Sequence, residues 1–304
     1  MGCSQVTCGR VSQKWRVRTL AAKILDGAAV AKEIRAELTE RVAKLKEERG
    51  ITPKLSVILV GEDPASVTYT RMKKKASEAA GMLSDLIELP ADSTQEQVKD
   101  IIAGLNADPT VHGILVQHPV PSHLDELDIL STVAPEKDVD GISAISLGKL
   151  VLGTADYISC TPLGIVTLLE RYDIPIKGKE AVVIGRSIIL GKPAALALLE
   201  RHATVTICHS RTQNLPDMVR RADIVVAAIG KAEFIKGDWI KEGAVVVDAG
   251  YNKVEGKGHD VGDVEFEAAA ERASYITPVP GGVGPMTIAM LLMQTVKGAE
   301  KYGK

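Results

Sequence analysis

Residues Ala181–Pro193 read Ala-Val-Val-Ile-Gly-Arg-Ser-Ile-Ile-Leu-Gly-Lys-Pro and carry most of the information about the fold. The first four residues are apolar and predict a buried parallel strand. Gly185 and Gly191 bracket a turn, and Pro193 stands where a helix can begin. The stretch therefore predicts a strand–turn–helix unit, although it has only two glycines of the dinucleotide-binding G-x-G-x-x-G pattern.

The residues that follow continue this unit. Ala194–Glu200 is helical in composition, and Ala203–Cys208 is a second strand that ends near Ser210 and Arg211. In a Rossmann unit the tip of the second strand meets the adenosine ribose, where an acid selects NAD and an arginine suits the 2′-phosphate of NADP. With no acid at this tip and Arg186 as a second cation, the sequence predicts NADP. A βαβ unit with incidental surface arginines is the alternative.

Length and composition set the broader class. The 304 residues allow two domains, and 45% hydrophobic with 25% charged residues is typical of a globular protein. A net charge of −2 gives no nucleic-acid footprint, and no apolar run approaches the ~20 residues that span a bilayer. The four cysteines lack zinc-ligand spacing, so we predict no metal site and a reducing compartment.

Residues 1–20 differ from the rest because they contain basic residues and no acid. They lack the apolar core of a secretory signal. We expect a disordered extension or an upstream start codon, and hence a cytoplasmic protein; a transit peptide for organellar import is the alternative.

The first half of the chain predicts alternating helices and strands. Asp26 can cap a helix that runs to about Glu48 and stops at Gly50, and Lys54–Val60 follows as a strand. Asp63 and Pro64 then begin a second helix. Further on, Ser93 with Glu96 forms an expected capping box for a third.

The second helix carries Tyr69 and Lys73, which are four residues apart and share a face. A partly desolvated lysine exchanges protons near neutral pH, and a phenol beside it can orient it. Because Lys74 and Lys75 follow directly, spacing alone favours an ordinary solvated basic face.

Three further segments can bring polar groups to a ligand. A buried strand within Val111–Pro121 delivers Gln117 and His118 to its end, where open α/β sheets bind ligands, although a histidine beside prolines is commonly structural. The polar loop 135–141 reads as a solvated turn, but a buried Asp140 could pair with the NH groups of a heterocycle. Residues 277–287 form a glycine-rich loop whose backbone can approach a ligand closely. Between these segments, Thr161 and Pro162 are expected to open a helix at a domain boundary.

Taken together, these stretches resemble the bifunctional methylenetetrahydrofolate dehydrogenase/cyclohydrolase family from about Lys23 to Tyr302. The resemblance rests on several motifs in the family's order. They are Val60-Gly61 through Pro64-Ala65-Ser66 to Tyr69 and Lys73, then Val116-Gln117, Lys137-Asp138-Val139-Asp140-Gly141, Gly185-Arg186-Ser187, and Pro280 to Thr287. The resemblance makes Lys73 the expected catalytic lysine and leaves Lys74 and Lys75 facing solvent.

The resemblance implies an α/β fold with two domains that flank a cleft. The expected divisions are a leader at 1–20, a folate-binding catalytic domain at 21–160 completed by a C-terminal helix at 286–304, and a Rossmann-type parallel-sheet NADP-binding domain at 161–285. A homodimer is expected from the family alone. Tetrahydrofolate derivatives are the implied partners, with no nucleic acid or membrane.

The implied chemistry is two reactions of one-carbon metabolism at one site. Hydride passes from 5,10-methylenetetrahydrofolate to NADP, and water then converts the methenyl product to 10-formyltetrahydrofolate. Lys73 would handle protons, Tyr69 would orient substrate, Gln117 would hold Lys73 in its productive form, and Asp140 would anchor the pterin. The remaining residues implied in substrate binding are Val116, His118, Pro280, Gly281, Gly282, Val283 and Gly284. Those implied in cofactor binding are Gly185, Arg186, Ser187, Ser210, Arg211 and Tyr251.

Four positions depart from the family pattern: His118 for a usual Leu, Ser146 for Asn, Ser159 for Pro and Tyr251 for Ile. We expect His118 to shift the pH dependence of substrate binding and Tyr251 to tune the contact with the nicotinamide. A dehydrogenase without hydrolase activity and a non-catalytic NADP-binding sensor are the alternative functions. Accumulation of the methenyl product would indicate the first, and tight NADP binding without turnover the second.

Overall fold

The computed structural model describes residues 22–254, 256 and 260–303. The predicted leader at 1–20 lies outside the described residues. The strands in chain order are β1 (Lys23–Ile24), β2 (Lys54–Val60), β3 (Leu83–Leu89), β4 (Gly113–Val116), β5 (Glu180–Ile184), β6 (Thr204–Cys208), β7 (Ile224–Ala227), β8 (Val245–Asp248) and β9 (Tyr275–Ile276). The α-helices are α1 (Gly27–Arg49), α2 (Pro64–Ala79), α3 (Gln95–Ala107), α4 (Glu126–Thr132), α5 (Ala144–Val151), α6 (Cys160–Arg171), α7 (Gly191–Leu199), α8 (Leu215–Arg220), α9 (Phe266–Ala270) and α10 (Val283–Tyr302).

The strands form two parallel sheets. The smaller sheet has the order β3-β2-β4, and the larger has the order β1-β9-β8-β7-β5-β6. Strands β2, β4, β5, β7 and β8 are buried along almost their whole length, which is the pattern of strands covered on both faces. The predicted α/β fold with a Rossmann-type parallel sheet is therefore confirmed.

The short strand β1 extends the larger sheet although it precedes every element of the smaller one. Lys23 is paired with Tyr275 and Ile24 with Ile276, both in β9. The first described strand therefore belongs to the larger sheet, and the smaller sheet follows it in the chain.

The first two helices begin at the predicted caps. The Asp26 side chain accepts a hydrogen bond from Ala29 N, and Gly50 ends α1 in the left-handed conformation. The Asp63 side chain accepts from Ser66 N at the start of α2. Both helices thus satisfy N-terminal donors with a carboxylate, which also complements the helix dipole.

The start of α3 differs from the prediction by one residue. Thr94, not Ser93, is the N-cap, and it forms the capping box with Gln97 in place of Glu96. The Ser93 hydroxyl instead donates to Pro90 O at 2.7 Å within the preceding turn, so it is not free to cap.

The start of α6 is also earlier than predicted. The helix begins at Cys160 after Ser159, and the hydroxyl of Thr161 bonds to that of Thr287 in α10 at 3.0 Å in place of capping. The Ser159 hydroxyl donates to Ile189 O at 2.6 Å in the turn after β5. Ser159 and Thr161 therefore bond to distant parts of the chain, and neither side chain caps the helix.

The last helix, α10, connects the two halves of the molecule. It starts at Val283, within the segment expected to be a loop, and packs against α1 and α6. One hydrophobic core unites buried side chains of the three helices, including Leu38, Leu168 and Leu291. Among the described residues, no helix is long and apolar enough to cross a membrane.

Candidate active site

A buried lysine–glutamine pair lies between α2 and the end of β4. Lys73, 6% exposed, donates from Nζ to Gln117 Oε1 at 2.9 Å. The Gln117 Nε2 donates to His118 O at 2.7 Å, which fixes the amide so that its oxygen faces the lysine. Burial lowers the pKa of Lys73, and the nearby Asp140 carboxylate raises it in part. Along the same helix, Lys75 is exposed and Lys74 is half-buried.

Tyr69 covers the lysine from one helical turn away. Its ring centroid lies 4.9 Å from Lys73 Nζ, within the range of a cation–π contact. Its hydroxyl points toward Gly284 O, at 3.4 Å, in the first turn of α10. Burial, with a further contribution from Asp140, raises the pKa of Tyr69 to about 12, so the phenol keeps its proton at neutral pH.

Asp140 lies in the loop between α4 and α5. The carboxylate of Asp138 shapes this loop by accepting from the backbone N–H groups of Gly141 at 3.1 Å and Ser143 at 3.0 Å. Asp138 is buried, which raises its pKa, and its hydrogen bonds oppose that rise. Asp140 itself is half-buried and bears on both the Lys73 and the Tyr69 pKa values. The structure therefore brings Lys73, Tyr69, Gln117 and Asp140 together.

The two neighbours of Gln117 lie in different surroundings. His118 is half-buried, and its Nε2 lies 4.0 Å from Asp140 Oδ2. The Val116 side chain is buried in the hydrophobic core that the smaller sheet shares with α3 and α4, so Val116 can offer a ligand only its backbone.

The glycine-rich loop lies against the start of α1. Gly281 has φ +104° and its carbonyl accepts from Ala28 N at 2.9 Å. A Cβ on Gly27 would lie 1.8 Å from Gly282 O, so the two backbones meet where no side chain fits. In the same segment, Pro280 and Gly284 are exposed and Val283 is buried.

The turn after β5 is tightly built. Gly185 has φ +137°, and a Cβ on Gly191 would lie 2.4 Å from the Gly185 carbonyl carbon, so the turn packs directly on the start of α7. Arg186 and Ser187 are exposed, and Ser187 Oγ accepts from Gly191 N at 3.3 Å.

The tip of the adjacent strand lies beside this turn. Ile184 is in register with Cys208, and Gly185 N donates to Cys208 O at 2.9 Å. The exposed residues Ser210 and Arg211 follow directly. Exposed cations and hydroxyls therefore gather at the carboxyl ends of two neighbouring strands, as a dinucleotide site requires.

Tyr251 lies after β8 and is 60% exposed, and its hydroxyl donates to Asp260. This bond to a carboxylate raises the pKa of the Tyr251 phenol. Tyr251 thus lies on a different segment from the other predicted cofactor-binding residues, which follow β5 and β6.

Two buried carboxylates near Tyr251 escaped the sequence analysis. Asp248 accepts from the N–H groups of Gly250, Asp263 and Val264, and Asp263 accepts from three consecutive N–H groups at 229–231. Burial raises the pKa of Asp248 to about 6, and the backbone donors oppose that rise. These acids shape the loops at the carboxyl ends of β7 and β8. In the sequence, the nearby glycines 250 and 262 are the feature that could have indicated them.

Gln294 is another buried polar residue that the sequence motifs did not predict. It lies in the buried middle of α10, is 2% exposed, and bonds to the loop of Asp140. An amide within the mostly apolar middle of a helix is the sequence signal for it, because buried polar groups need internal partners. Within the described residues, no three His, Cys, Asp or Glu side chains are grouped to hold a metal ion.

Comparison with known proteins assigns both halves of the chain. Residues 25–140 match the family model of the tetrahydrofolate dehydrogenase/cyclohydrolase catalytic domain, and residues 159–303 match that of the NAD(P)-binding domain. The Bifunctional protein FolD of Moorella thermoacetica is 56% identical over 282 residues, which are 93% of this chain and 100% of that protein.

Solved structures agree over the same length. The bifunctional FolD dehydrogenase/cyclohydrolase of Campylobacter jejuni has a TM-score of 0.90 at 47% identity, and covers 92% of this chain and 99% of its own. The FolD of Trypanosoma brucei, solved with NADP cofactor and an inhibitor, has a TM-score of 0.88 at 42% identity, with 92% and 98% covered. Motifs, fold and relatives agree, and this chain belongs to the bifunctional methylenetetrahydrofolate dehydrogenase/cyclohydrolase family.

Proposed function

We propose that this protein oxidises 5,10-methylenetetrahydrofolate with NADP and hydrolyses the methenyl product to 10-formyltetrahydrofolate in a single cleft. The observation that carries the proposal is the buried Lys73, held by Gln117 and surrounded by Tyr69 and Asp140 in a member of this family. Its place is one-carbon folate metabolism.

In the hydrolytic step, Lys73 takes the proton that the attacking water releases. Water adds its oxygen to the methenyl carbon. The hydroxyl so formed then loses its remaining proton as the carbon–nitrogen bond to N5 breaks, N5 takes up one proton, and N10 keeps the formyl group. A buried amine suits this role because burial favours its neutral form, which is the form that accepts a proton.

Gln117 supports this role because it is a neutral acceptor. Its oxygen holds Lys73 Nζ without supplying a negative charge that would keep the lysine protonated. The amide cannot turn round without losing its bond to His118 O. Lys73 is thereby fixed in position while its proton affinity stays low.

Asp140 anchors the folate head group, and Tyr69 orients it. A half-buried carboxylate pairs well with the amino and ring NH groups of a pterin. The Tyr69 phenol stays protonated, so it can donate a hydrogen bond to substrate in place of its long contact with Gly284 O. His118 and the segment Pro280–Gly284 complete the folate side, with Val116 contributing through its backbone.

The second sheet fits NADP. The tight turn at Gly185 lets the backbone approach a pyrophosphate, and Ser187 and Ser210 offer hydroxyls beside it. Arg186 and Arg211 are exposed at neighbouring strand ends, where both can reach a 2′-phosphate. When bound, NADP accepts the hydride, and the protein aligns the folate carbon with it. Tyr251 follows β8, the neighbour of strand β9, which leads into the glycine-rich loop. The homodimer and the cytoplasmic location remain predictions.

The test is Lys73→Ala compared with Lys75→Ala, an exposed lysine on the same helix. We expect Lys73→Ala to abolish hydrolysis of methenyltetrahydrofolate and to leave folded protein that binds NADP normally. Lys75→Ala should retain both activities. Unchanged hydrolysis in Lys73→Ala would refute the assignment, and methenyl accumulation by the unmodified protein would indicate a dehydrogenase alone.

A further inference from the structure

The Asp140 loop is held on its C-terminal side by a buried acid. The Asp138 carboxylate accepts from Gly141 N, the N–H of the peptide group that follows Asp140. Gly141 needs its left-handed φ of +65°, and a Cβ there would lie 2.6 Å from the carbonyl carbon of Ile158. The loop thus lies in direct backbone contact with the segment that leads into α6.

The N-terminal side of the same residue is held by Gln294. Its Nε2 donates to Val139 O at 2.6 Å, the carbonyl of the peptide group that precedes Asp140, and to Ile158 O at 2.9 Å. Its Oε1 accepts from Ile158 N at 2.9 Å. Cys160 Sγ donates to the same Val139 O at 3.3 Å.

Both peptide groups that flank Asp140 are therefore fixed by buried side chains, one from the loop itself and one from α10. The direction in which a side chain leaves the backbone is set by these two peptide planes. We propose that Gln294 is a positioning residue that aims the Asp140 carboxylate at the folate head group. This inference rests on the proposed role of Asp140 as the folate anchor.

Helix packing alone gives no reason for an amide at this position. The neighbouring buried residues of α10 include Leu291, Leu292 and Val296, and an apolar side chain would suit their surroundings. Gln294 uses both amide hydrogens and its oxygen on two backbone segments. It joins the Asp140 loop to the segment that leads into α6, so its loss should release the Asp140 loop and weaken folate binding.

The test is Gln294→Met, which keeps the length of the side chain and removes its hydrogen bonds. We expect the KM for both folate substrates and the dissociation constant for the product 10-formyltetrahydrofolate to rise by about tenfold or more. The dissociation constant for NADP should stay within about twofold. Thr295→Val is the matched control, because the hydroxyl of this buried neighbour donates to Leu291 O within its own helix. This variant should change neither constant.

A double-mutant cycle with Asp140→Asn separates positioning from general damage. If Gln294 acts through Asp140, adding Gln294→Met to Asp140→Asn should raise the folate constants by less than about twofold more. Additive effects, or an equal loss of NADP binding, would overturn the inference. If Asp140→Asn raises the folate constants and Gln294→Met does not, the inference alone fails. If Asp140→Asn changes nothing, the proposed anchor fails and the inference fails with it. Should Gln294→Met not fold, Gln294→Asn provides the same comparison with a shorter amide.

Discussion

Replacing Gln117 with glutamate tests whether the neutral partner of Lys73 matters for hydrolysis. The change keeps the side-chain shape but places a carboxylate where Oε1 now accepts from Lys73 Nζ at 2.9 Å. A lysine bonded to a carboxylate holds its proton more strongly. We therefore expect Gln117→Glu to reduce the fraction of neutral Lys73 and to slow hydrolysis.

The magnitude follows from the separation. The two charge centres would lie about 4 Å apart, where the attraction is about 4 kcal/mol at an effective dielectric constant of about 20. At about 1.4 kcal/mol for each factor of ten, this lowers the neutral fraction by up to about 10³. Desolvation of the new carboxylate opposes the effect, so we expect hydrolysis at neutral pH to fall by about 100-fold.

The assay is hydrolysis of methenyltetrahydrofolate from about pH 6 to about pH 9, followed by its absorbance. The variant should show a rate profile displaced toward higher pH, with recovery of activity at the alkaline end. Gln97→Glu is the control, because it makes the same charge change at an exposed position where glutamate also serves the capping box. An undisplaced profile, or a uniform loss at every pH, would refute the reasoning about Lys73.

Two further predictions concern the second domain. Replacing Arg211 or Arg186 with Ala should lower the preference for NADP over NAD in kcat/KM by about tenfold, the value of roughly one charge-assisted contact. Steady-state kinetics with both cofactors measures this preference. An unchanged ratio would show that these arginines do not bind the 2′-phosphate. Because the folded-state pKa of Asp248 is raised to about 6, the folded protein binds a proton that the unfolded chain has released, and stability falls as the pH rises toward that value. Between about pH 5 and about pH 7 this costs about 1 kcal/mol. Denaturant unfolding should show that the stability difference between the unmodified protein and Asp248→Asn changes by this amount, and a pH-independent difference would contradict it.

The sequence predicts the strands and helix caps well where one local signal dominates. Asp26 and Asp63 cap their helices as predicted, and each carboxylate accepts from a backbone N–H three residues later. Ser93 and Thr161 fail as predicted caps because turn and tertiary contacts take their hydroxyls. The partner of Thr161, Thr287, lies 126 residues along the chain, so no local pattern reveals that contact.

The candidate site shows the same limit. Spacing places Tyr69 and Lys73 on one face but favours a solvated surface, and only the family resemblance pointed to a buried lysine. The burial arises because α2 packs on β2 and β3 and meets α10, a helix more than 200 residues later. Gln294 illustrates the converse, since its sequence position is unusual but its partners are set entirely by tertiary structure.

The arrangement of charge around Lys73 links substrate binding to proton transfer. Burial lowers the pKa of this lysine, whereas Asp140 raises it, so the two effects oppose each other in the free protein. A pterin bound to Asp140 would donate hydrogen bonds to the carboxylate and draw its negative charge away from the amine. Binding of the folate would then favour the neutral lysine at the moment when the methenyl carbon is in place for water to attack. A neutral residue at position 117 is essential to this coupling, because a second carboxylate would keep the lysine protonated whether or not substrate was bound.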